Sequence, residues 1–224
     1  CSFAAGVVGS YYGRVMEEAR TQNRIGKVPH DQLLPVHTYW DIGIDDSTAV
    51  WFGQRRGLER RWLAYREWKD TPLLDIFEEV NAMRQYRYAL HQFPHDSKHR
   101  EKSTGRRIIE YANDVFDGNG DAVVVPIHSI EDGIEATRHL IKQSWFDEEQ
   151  CELGIYALLN YRKKFDEKLQ AYHQTPLHDW SSHGADAFRM AAWVDSDEPE
   201  VDTVESWQRT VKPKVIRSFG RARQ

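Results

Sequence analysis

The 224-residue sequence lacks several features that would each indicate a class of protein. No apolar run approaches ~18 residues, the length that a membrane-spanning helix needs. The two cysteines, Cys1 and Cys151, fit no metal-ligand or disulfide spacing, which favours reduced thiols in a cytosolic setting. No signal peptide is evident. We therefore expect a soluble globular protein with no membrane partner.

Two catalytic signatures are also missing. No G-x-x-x-x-G-K-[ST] loop occurs, so the chain alone should not bind ATP through such a loop. No Gly-x-Ser-x-Gly elbow supports Ser97 as a hydrolase nucleophile. His91, His95 and His99 have a helical spacing that suits zinc, but Pro94 interrupts that helix. Both interpretations stay open as the weaker alternatives.

Charge is present but unevenly distributed. The formal net charge of −5 at first argues against a protein that binds nucleic acid. However, residues 206–224 contain six basic residues and no acidic one, which leaves −11 on the first 205 residues. We interpret residues 195–224 as an acidic linker followed by a basic C-terminal tail.

Alternating hydrophobicity predicts where the sheet begins. From Val36 onward, apolar residues alternate with a second set that includes Asp41, which indicates a strand with a carboxylate on one face. Two more strand-like stretches, 48–54 and 58–68, follow on either side of Arg55-Arg56-Gly57. The sequence therefore predicts three antiparallel strands in a row.

The rest of the chain alternates between helices and short buried strands. Helices are predicted over 71–86, 105–116, 129–143 and 148–159, and strands over 88–93 and 122–126. Residues 161–174 fit either a helix or a hairpin. Ser181 or Ser182 is expected to cap a last helix that ends at Trp193. This order predicts one α/β domain over 36–194, with a ribonuclease H-like mixed sheet of three antiparallel and then parallel strands flanked by helices.

Residues 1–35 combine a possible helix with glycine and proline residues, and we interpret them as a connector. The sequence begins Cys-Ser-Phe without an initiator Met. We therefore expect that an N-terminal partner domain precedes it.

Three acidic residues stand at separate elements of this predicted domain. Asp41 lies in the first strand, Asp96 follows the strand over 88–93, and Asp186 lies inside the last helix. Each has an ordinary interpretation, as a turn acid, a strand-ending acid or an acid near a helix N-terminus. Carboxylate oxygens also bind Mg²⁺ and Mn²⁺, and two such ions ~3.5–4 Å apart can hydrolyse a phosphodiester. We hypothesise that the three acids hold two ions, with Asp45 as an accessory ligand on the strand face of Asp41.

Basic residues cluster in two places beside the proposed site. If both clusters flank the carboxylates, they would hold the backbone of a DNA duplex without reading its bases. A solvated face with salt bridges is the alternative. One cluster consists of Lys98, Arg100, Lys102, Arg106 and Arg107, and the other of Arg55, Arg56, Arg60 and Arg61.

Several stretches resemble a known family, the C-terminal nuclease domain of the large terminase subunit of tailed bacteriophages. They are Cys1-Ser2-Phe3 with Gly9-Ser10-Tyr11-Tyr12, VHTYWDIGIDDSTAVWF from Val36, PHDSK from Pro94, YRKKFDEK from Tyr161 and HDWSSHGADAFRM from His178. The resemblance covers about residues 1–193, and the last stretch is its most specific part.

The resemblance implies a ribonuclease H-like nuclease that cuts concatemeric double-stranded viral DNA in the host cytoplasm during genome packaging. Asp41 would bridge two ions, Asp96 would hold one and Asp186 the other, while His183 and Lys98 would touch phosphate or a metal-bound water. It also implies an N-terminal ATPase domain, a portal and a small terminase subunit as partners. A structure-specific nuclease such as a junction resolvase, or a non-catalytic docking module of the motor, remains the alternative.

Overall fold

The structure is a computed structural model that describes residues 7–43, 47–98 and 105–197. Its centre is a seven-stranded mixed sheet with the order β1-β7-β4-β3-β2-β5-β6. The strands are β1 (Ile25–Gly26), β2 (Val36–Asp41), β3 (Thr48–Arg56), β4 (Glu59–Trp68), β5 (Tyr88–Phe93), β6 (Asp121–Val124) and β7 (Ser144–Asp147). The helices are α1 (Gly13–Thr21), α2 (Leu73–Asn81), α3 (Ile108–Val115), α4 (Ile130–Lys142), α5 (Glu152–Asn160) and α6 (Ser181–Asp197).

The predicted strand pattern is confirmed. Strands β2, β3 and β4 pair antiparallel, whereas β5, β6, β7 and β1 join the sheet through parallel pairs. The alternation in β2 separates two cores, because neighbouring side chains of a strand point to opposite faces. Tyr39 belongs to the core beneath α1, α4, α5 and α6, and Trp40 to the core beneath α2 and α3.

Three predicted boundaries differ from the structure. A helix was expected over residues 148–159, but α5 begins only at Glu152. The four residues before position 148 form strand β7, which was not predicted. Helix α2 ends at Asn81 rather than near Tyr86, and it begins at Leu73, with Pro72 at the N-cap position. The acidic linker expected from residue 195 instead starts as the end of α6, and residues 198–224 lie outside the described ranges.

The predicted connector contributes to the domain itself. Helix α1 places Tyr12, Val15 and Met16 in the core, and β1 pairs with β7 at the edge of the sheet. The side chain of Arg24 donates hydrogen bonds to two backbone carbonyls, that of Ile141 near the end of α4 and that of Ser144 at the start of β7. Residues 13–26 are therefore part of the folded unit, and the preceding ATPase domain remains a prediction.

Residues 161–174, left open between helix and hairpin, form a hairpin. Strands β8 (Lys163–Asp166) and β9 (Ala171–Pro176) pair as a separate two-stranded sheet that leads directly into α6. Among the described helices, none is long and apolar enough to cross a membrane.

Candidate functional site

The candidate site lies where parallel strands β2 and β5 end. Tyr39 pairs with Gln92, so Asp41 at the end of β2 is level with Pro94, two residues before Asp96. Asp96 lies in a single turn of 3-10 helix, His95–Lys98, that follows β5. The two acids therefore share one edge of the sheet, as expected for residues at the carboxyl ends of neighbouring parallel strands.

Helix α6 crosses the sheet over β2 and β3 and begins at this edge. The carboxylate of Asp179 accepts hydrogen bonds from the backbone N–H and the side-chain O–H of Ser181, and the hydroxyl of Ser182 accepts the N–H of Asp179 at 3.0 Å. The predicted serine cap is thus corrected. Asp179 accepts the backbone N–H of Ser181 at the helix start. The Ser181 hydroxyl donates to Asp179, and the Ser182 hydroxyl accepts its N–H.

His183, in the first turn of α6, contacts Asp41. Its Nδ1 lies 3.3 Å from Asp41 Oδ2, and its side chain is 8 % exposed against 27 % for Asp41. Burial raises the pKa of the Asp41 carboxyl above its ordinary value, the bond to His183 lowers it, and the nearby Asp186 carboxylate raises it. Asp41 and Asp186 are therefore close enough to repel each other.

Asp186 is held by two further groups on its own side of the site. Its Oδ1 accepts a hydrogen bond from the Tyr161 hydroxyl at 3.1 Å and an ion pair from Arg189 Nη1 at 2.8 Å. Arg189 Nη1 also donates to the Tyr161 hydroxyl at 3.0 Å, which closes a triangle. Sequence reasoning missed Tyr161 and Arg189, although an i, i+3 acid–arginine pair on a helix was a usable signal.

Gly184 lies between His183 and Asp186 in α6, and its lack of a side chain lets α6 approach α5. A Cβ at this position would lie 2.9 Å from Ala157 Cβ and 3.0 Å from the Tyr65 hydroxyl. Its carbonyl accepts a hydrogen bond from Trp51 Nε1 at 2.8 Å, which fixes the start of α6 on the sheet.

The other predicted metal ligands are not gathered into a finished site. Asp96 is exposed, and Asp45 lies outside the described residues. Within the described ranges, no group of three or more His, Cys, Asp or Glu side chains is close enough to hold a metal ion. The structure thus places His183 in contact with Asp41, and Asp186 near enough to raise the pKa of Asp41. Asp96 lies at the same edge of the sheet.

The predicted DNA contacts divide in the same way. Lys98 is exposed next to Asp96, whereas Arg100 and Lys102 lie outside the described residues. Asp41 pairs with Ala49, and Arg55 is six residues further along β3, about 20 Å away at the strand rise. Arg55 and Arg56 therefore lie at the opposite end of the sheet, and the expectation that they flank the carboxylates is wrong.

Most of the other arginines in the two basic clusters form ion pairs, which agrees with the alternative interpretation of a solvated face with salt bridges. Arg60 pairs with Asp195 of α6, and Arg55 Nε lies 3.8 Å from the same carboxylate. Arg61 pairs with Glu59 at 2.8 Å. Arg106 pairs with Asp114 at 2.5 Å.

The zinc and serine alternatives lose their geometric basis. His91 is fully buried in β5, where its Nδ1 lies 2.8 Å from Thr38 Oγ1 and its ring stacks on Phe116. Burial lowers the pKa of His91 to about 4. Ser97 is also fully buried, and its hydroxyl has no hydrogen-bond partner among the described residues. His91 is therefore a core residue, and Ser97 is not available to a substrate.

A basic and aromatic groove beside the site was not predicted. It has a volume of about 370 Å³ and lies along the β8–β9 hairpin. Phe165 and Tyr172 expose 43 % and 44 % of their surface there. Arg162 at the base of the hairpin pairs with Asp179 at 3.0 Å, which joins the groove to the start of α6. Its lining residues are Val7, Val8, Arg162, Lys163, Lys164, Phe165, Tyr172 and Leu177.

Comparison with known proteins finds neither a matching protein-family model nor a matching curated sequence. Solved structures do match. The P22 large terminase nuclease domain is similar at a TM-score of 0.59 and 14 % identity, over 88 % of this chain and 97 % of that one. The large terminase nuclease from thermophilic phage G20c with bound cobalt is similar at a TM-score of 0.57 and 11 % identity, over 84 % of this chain and 98 % of that one.

A longer protein matches in part. The large terminase from another thermophilic bacteriophage is similar at a TM-score of 0.54 and 11 % identity, over 76 % of this chain but 42 % of that one. At these identities the likeness establishes the fold. The chain has the ribonuclease H-like fold of large terminase nuclease domains, which confirms the predicted fold class.

Proposed function

We propose that this chain is a divalent-metal-dependent endonuclease that cuts concatemeric double-stranded viral DNA during genome packaging. The observation that carries the proposal is a pair of neighbouring carboxylates, Asp41 on β2 and Asp186 on α6, of which the second raises the pKa of the first. Burial raises the pKa of Asp41, and the nearby Asp186 carboxylate raises it further, so a bound cation would stabilise the charged form of this pair. The fold supports the same class, because its solved neighbours are terminase nucleases, one of them with bound magnesium.

The donor atoms suit Mg²⁺ or Mn²⁺, since both bind carboxylate oxygens. Asp41, Asp186 and Asp96 would hold two such ions, and Asp45 would assist. When bound, the ions would supply charge neutralisation for the scissile phosphate and an activated water. His183 keeps the Asp41 carboxylate in position through Oδ2. Lys98, in the same turn as Asp96, would contact a phosphate of the DNA.

The substrate would approach along the groove of the β8–β9 hairpin. The segment 162–168 carries four basic and two acidic residues on a chain with an acidic body. Cationic side chains there would position the DNA backbone, and aromatic ones would contact sugars or bases. Partners of the whole motor, namely an N-terminal ATPase domain, a portal and a small terminase subunit, and a location in the host cytoplasm, belong to this proposal.

Digestion of supercoiled plasmid in Mg²⁺ or Mn²⁺, with EDTA as the metal-free arm, tests the nuclease activity. Asp41→Asn and Asp186→Asn should each lower the rate about 10³-fold, and Asp96→Asn should lower it strongly. Asp75→Asn, an exposed acid on α2, is the matched control and should keep full activity. Activity that survives all three substitutions would refute the proposal. If the protein cuts four-way DNA junctions faster than linear duplex DNA, the resolvase alternative would be favoured.

Binding of a DNA duplex in Ca²⁺, measured by fluorescence anisotropy over a range of salt concentrations, tests the groove. The double substitution Lys163→Ala with Lys164→Ala should weaken binding and reduce the slope of log affinity against log salt by about 1 to 2. Arg56→Ala, at the opposite end of the sheet, should change neither quantity. The reverse pattern would place the DNA on the β3–β4 hairpin.

A further inference from the structure

Both protein groups that hold Asp186 act on the same oxygen atom. Oδ1 accepts a hydrogen bond from the Tyr161 hydroxyl at 3.1 Å and forms an ion pair with Arg189 Nη1 at 2.8 Å. No hydrogen bond to Oδ2 is formed by any residue in the described ranges. A carboxylate oxygen has two lone-pair directions, so these two donors use the capacity of Oδ1. Oδ2 is left as the free oxygen of Asp186.

The position of Arg189 is built into the packing of the helices. Its side chain is 15 % exposed and runs against Gly133 of α4. A Cβ on Gly133 would lie 2.6 Å from Arg189 Cδ and 2.7 Å from its Cγ, so the arginine stem occupies the space that a larger residue would fill. Tyr161 is 2 % exposed and stacks on Tyr12 with a ring separation of 5.6 Å. Neither donor is a mobile surface side chain.

Charge explains what such an arginine does to a metal site. Asp41 and Asp186 bring two negative charges, and Arg189 neutralises one of them at contact distance. Nε of Arg189 is buried and has no acceptor among the described residues, so the guanidinium gains its stabilisation through Nη1. A divalent ion at Asp186 therefore has to bind next to a fixed positive charge.

We propose that Arg189 is the internal counterion of Asp186, which leaves only Oδ2 for a divalent ion and lowers the affinity of the site for that ion. This inference rests on the proposed metal site at Asp41 and Asp186. Its consequence is that the site is weakly loaded until DNA phosphates add negative charge beside it. Tyr161 acts with Arg189 as a positioning residue, because its hydroxyl donates to Oδ1 and accepts from Nη1.

Isothermal titration of the full chain with Mn²⁺ tests the inference without a nuclease assay. Arg189→Met keeps the volume of the stem and removes the charge, and it should bind Mn²⁺ about tenfold more tightly. Arg189→Lys keeps the charge and should stay within about twofold of the unsubstituted protein. Arg138→Met, which removes a cation of α4 that pairs with Glu135 instead, is the matched control and should leave Mn²⁺ affinity unchanged.

Unchanged or weaker Mn²⁺ binding by folded Arg189→Met would overturn the inference. Tyr161→Phe offers a second approach if Arg189→Met does not fold. It removes the hydrogen bond to Oδ1 and leaves more negative charge on the carboxylate, which should tighten Mn²⁺ binding about twofold to threefold. Unchanged affinity would count against the inference. Asp186→Asn separates the two proposals. If Asp186→Asn binds Mn²⁺ as the unsubstituted protein does, the proposed metal site itself is wrong. If it loses Mn²⁺ binding, the metal site is supported, and the Arg189→Met result then decides the role of Arg189.

Discussion

The two ends of helix α6 treat their carboxylates in opposite ways. Near the end of the helix, a single acid, Asp195, is paired with two arginines, Arg60 and Arg55. Near its start, two acids, Asp41 and Asp186, share one arginine and one histidine. Positive charge is in excess at one end and negative charge at the other. The first arrangement pairs its acid within the protein, and the proposed function implies that the second would be stabilised by a bound cation.

This difference separates a structural ion pair from a candidate site on the same helix. A carboxyl group whose pKa is raised by burial and by a second acid is held in its charged form at an energetic cost. The pKa of Asp41 is raised in this way. Substitutions at the two ends of α6 should therefore change stability in opposite directions.

The largest expected effect on stability is at the end of the helix. Asp195→Asn removes the partner of Arg60, whose side chain is 9 % exposed, and should lower the free energy of unfolding by about 2–3 kcal/mol. Urea denaturation followed by circular dichroism measures the change. Mn²⁺ affinity should not change, and a loss of metal binding would show that the two ends of α6 do not act separately.

An intermediate effect is expected at Gly184. In Gly184→Ala the new methyl group would meet Ala157 Cβ at 2.9 Å, so α5 and α6 would have to move apart at a cost of about 1–2 kcal/mol. Because His183 and Asp186 flank this position, Mn²⁺ affinity should fall as well. Gly26→Ala in strand β1, where a Cβ would meet nothing within 4 Å, is the control. Thermal melting with and without Mn²⁺ distinguishes the two variants, and equal behaviour would contradict the packing argument.

The smallest expected effect is a gain in stability. The folded-state pKa of Asp41 is raised, so its ionisation disfavours the fold above that pKa and contributes nothing at a pH where the group is protonated in both states. Asp41→Asn should therefore be more stable than the metal-free protein at pH 7. The difference should shrink as the pH falls below the raised folded-state pKa of Asp41 and vanish where the carboxyl is protonated in both states. In saturating Mn²⁺ the unsubstituted protein should become more stable than Asp41→Asn. A difference that is independent of pH would refute the charge argument.

The sequence predicts the fold well where its signals are local. Alternation around Asp41 identified β2 and its two faces, and the turn at Gly57 identified the β3–β4 hairpin. Strand β7 was missed because it has four residues and is continuous with the expected helix that follows it. At the start of α6, Asp179 and two serines are all good N-cap residues, so propensity alone could not rank them.

The candidate site was predicted only in part, because its contacts depend on long-range geometry. Acids at the ends of parallel strands meet at one edge by topology, which is why Asp41 and Asp96 were expected together. The Tyr161–Asp186 contact joins residues of two different elements, and local sequence carries no signal for it. The position of Arg55 followed from strand register, which sends the tip of a hairpin away from the end where Asp41 lies.

The central claim is that the acids at the start of α6 bind a divalent metal ion. Anomalous diffraction from a crystal soaked in Mn²⁺ tests it most directly. The expected result is a peak between the carboxylates of Asp41 and Asp186, on the Oδ2 side of Asp186, that is absent in Asp186→Asn. A fully soaked crystal with no peak there, or with its strongest peak at Asp195, would contradict the claim.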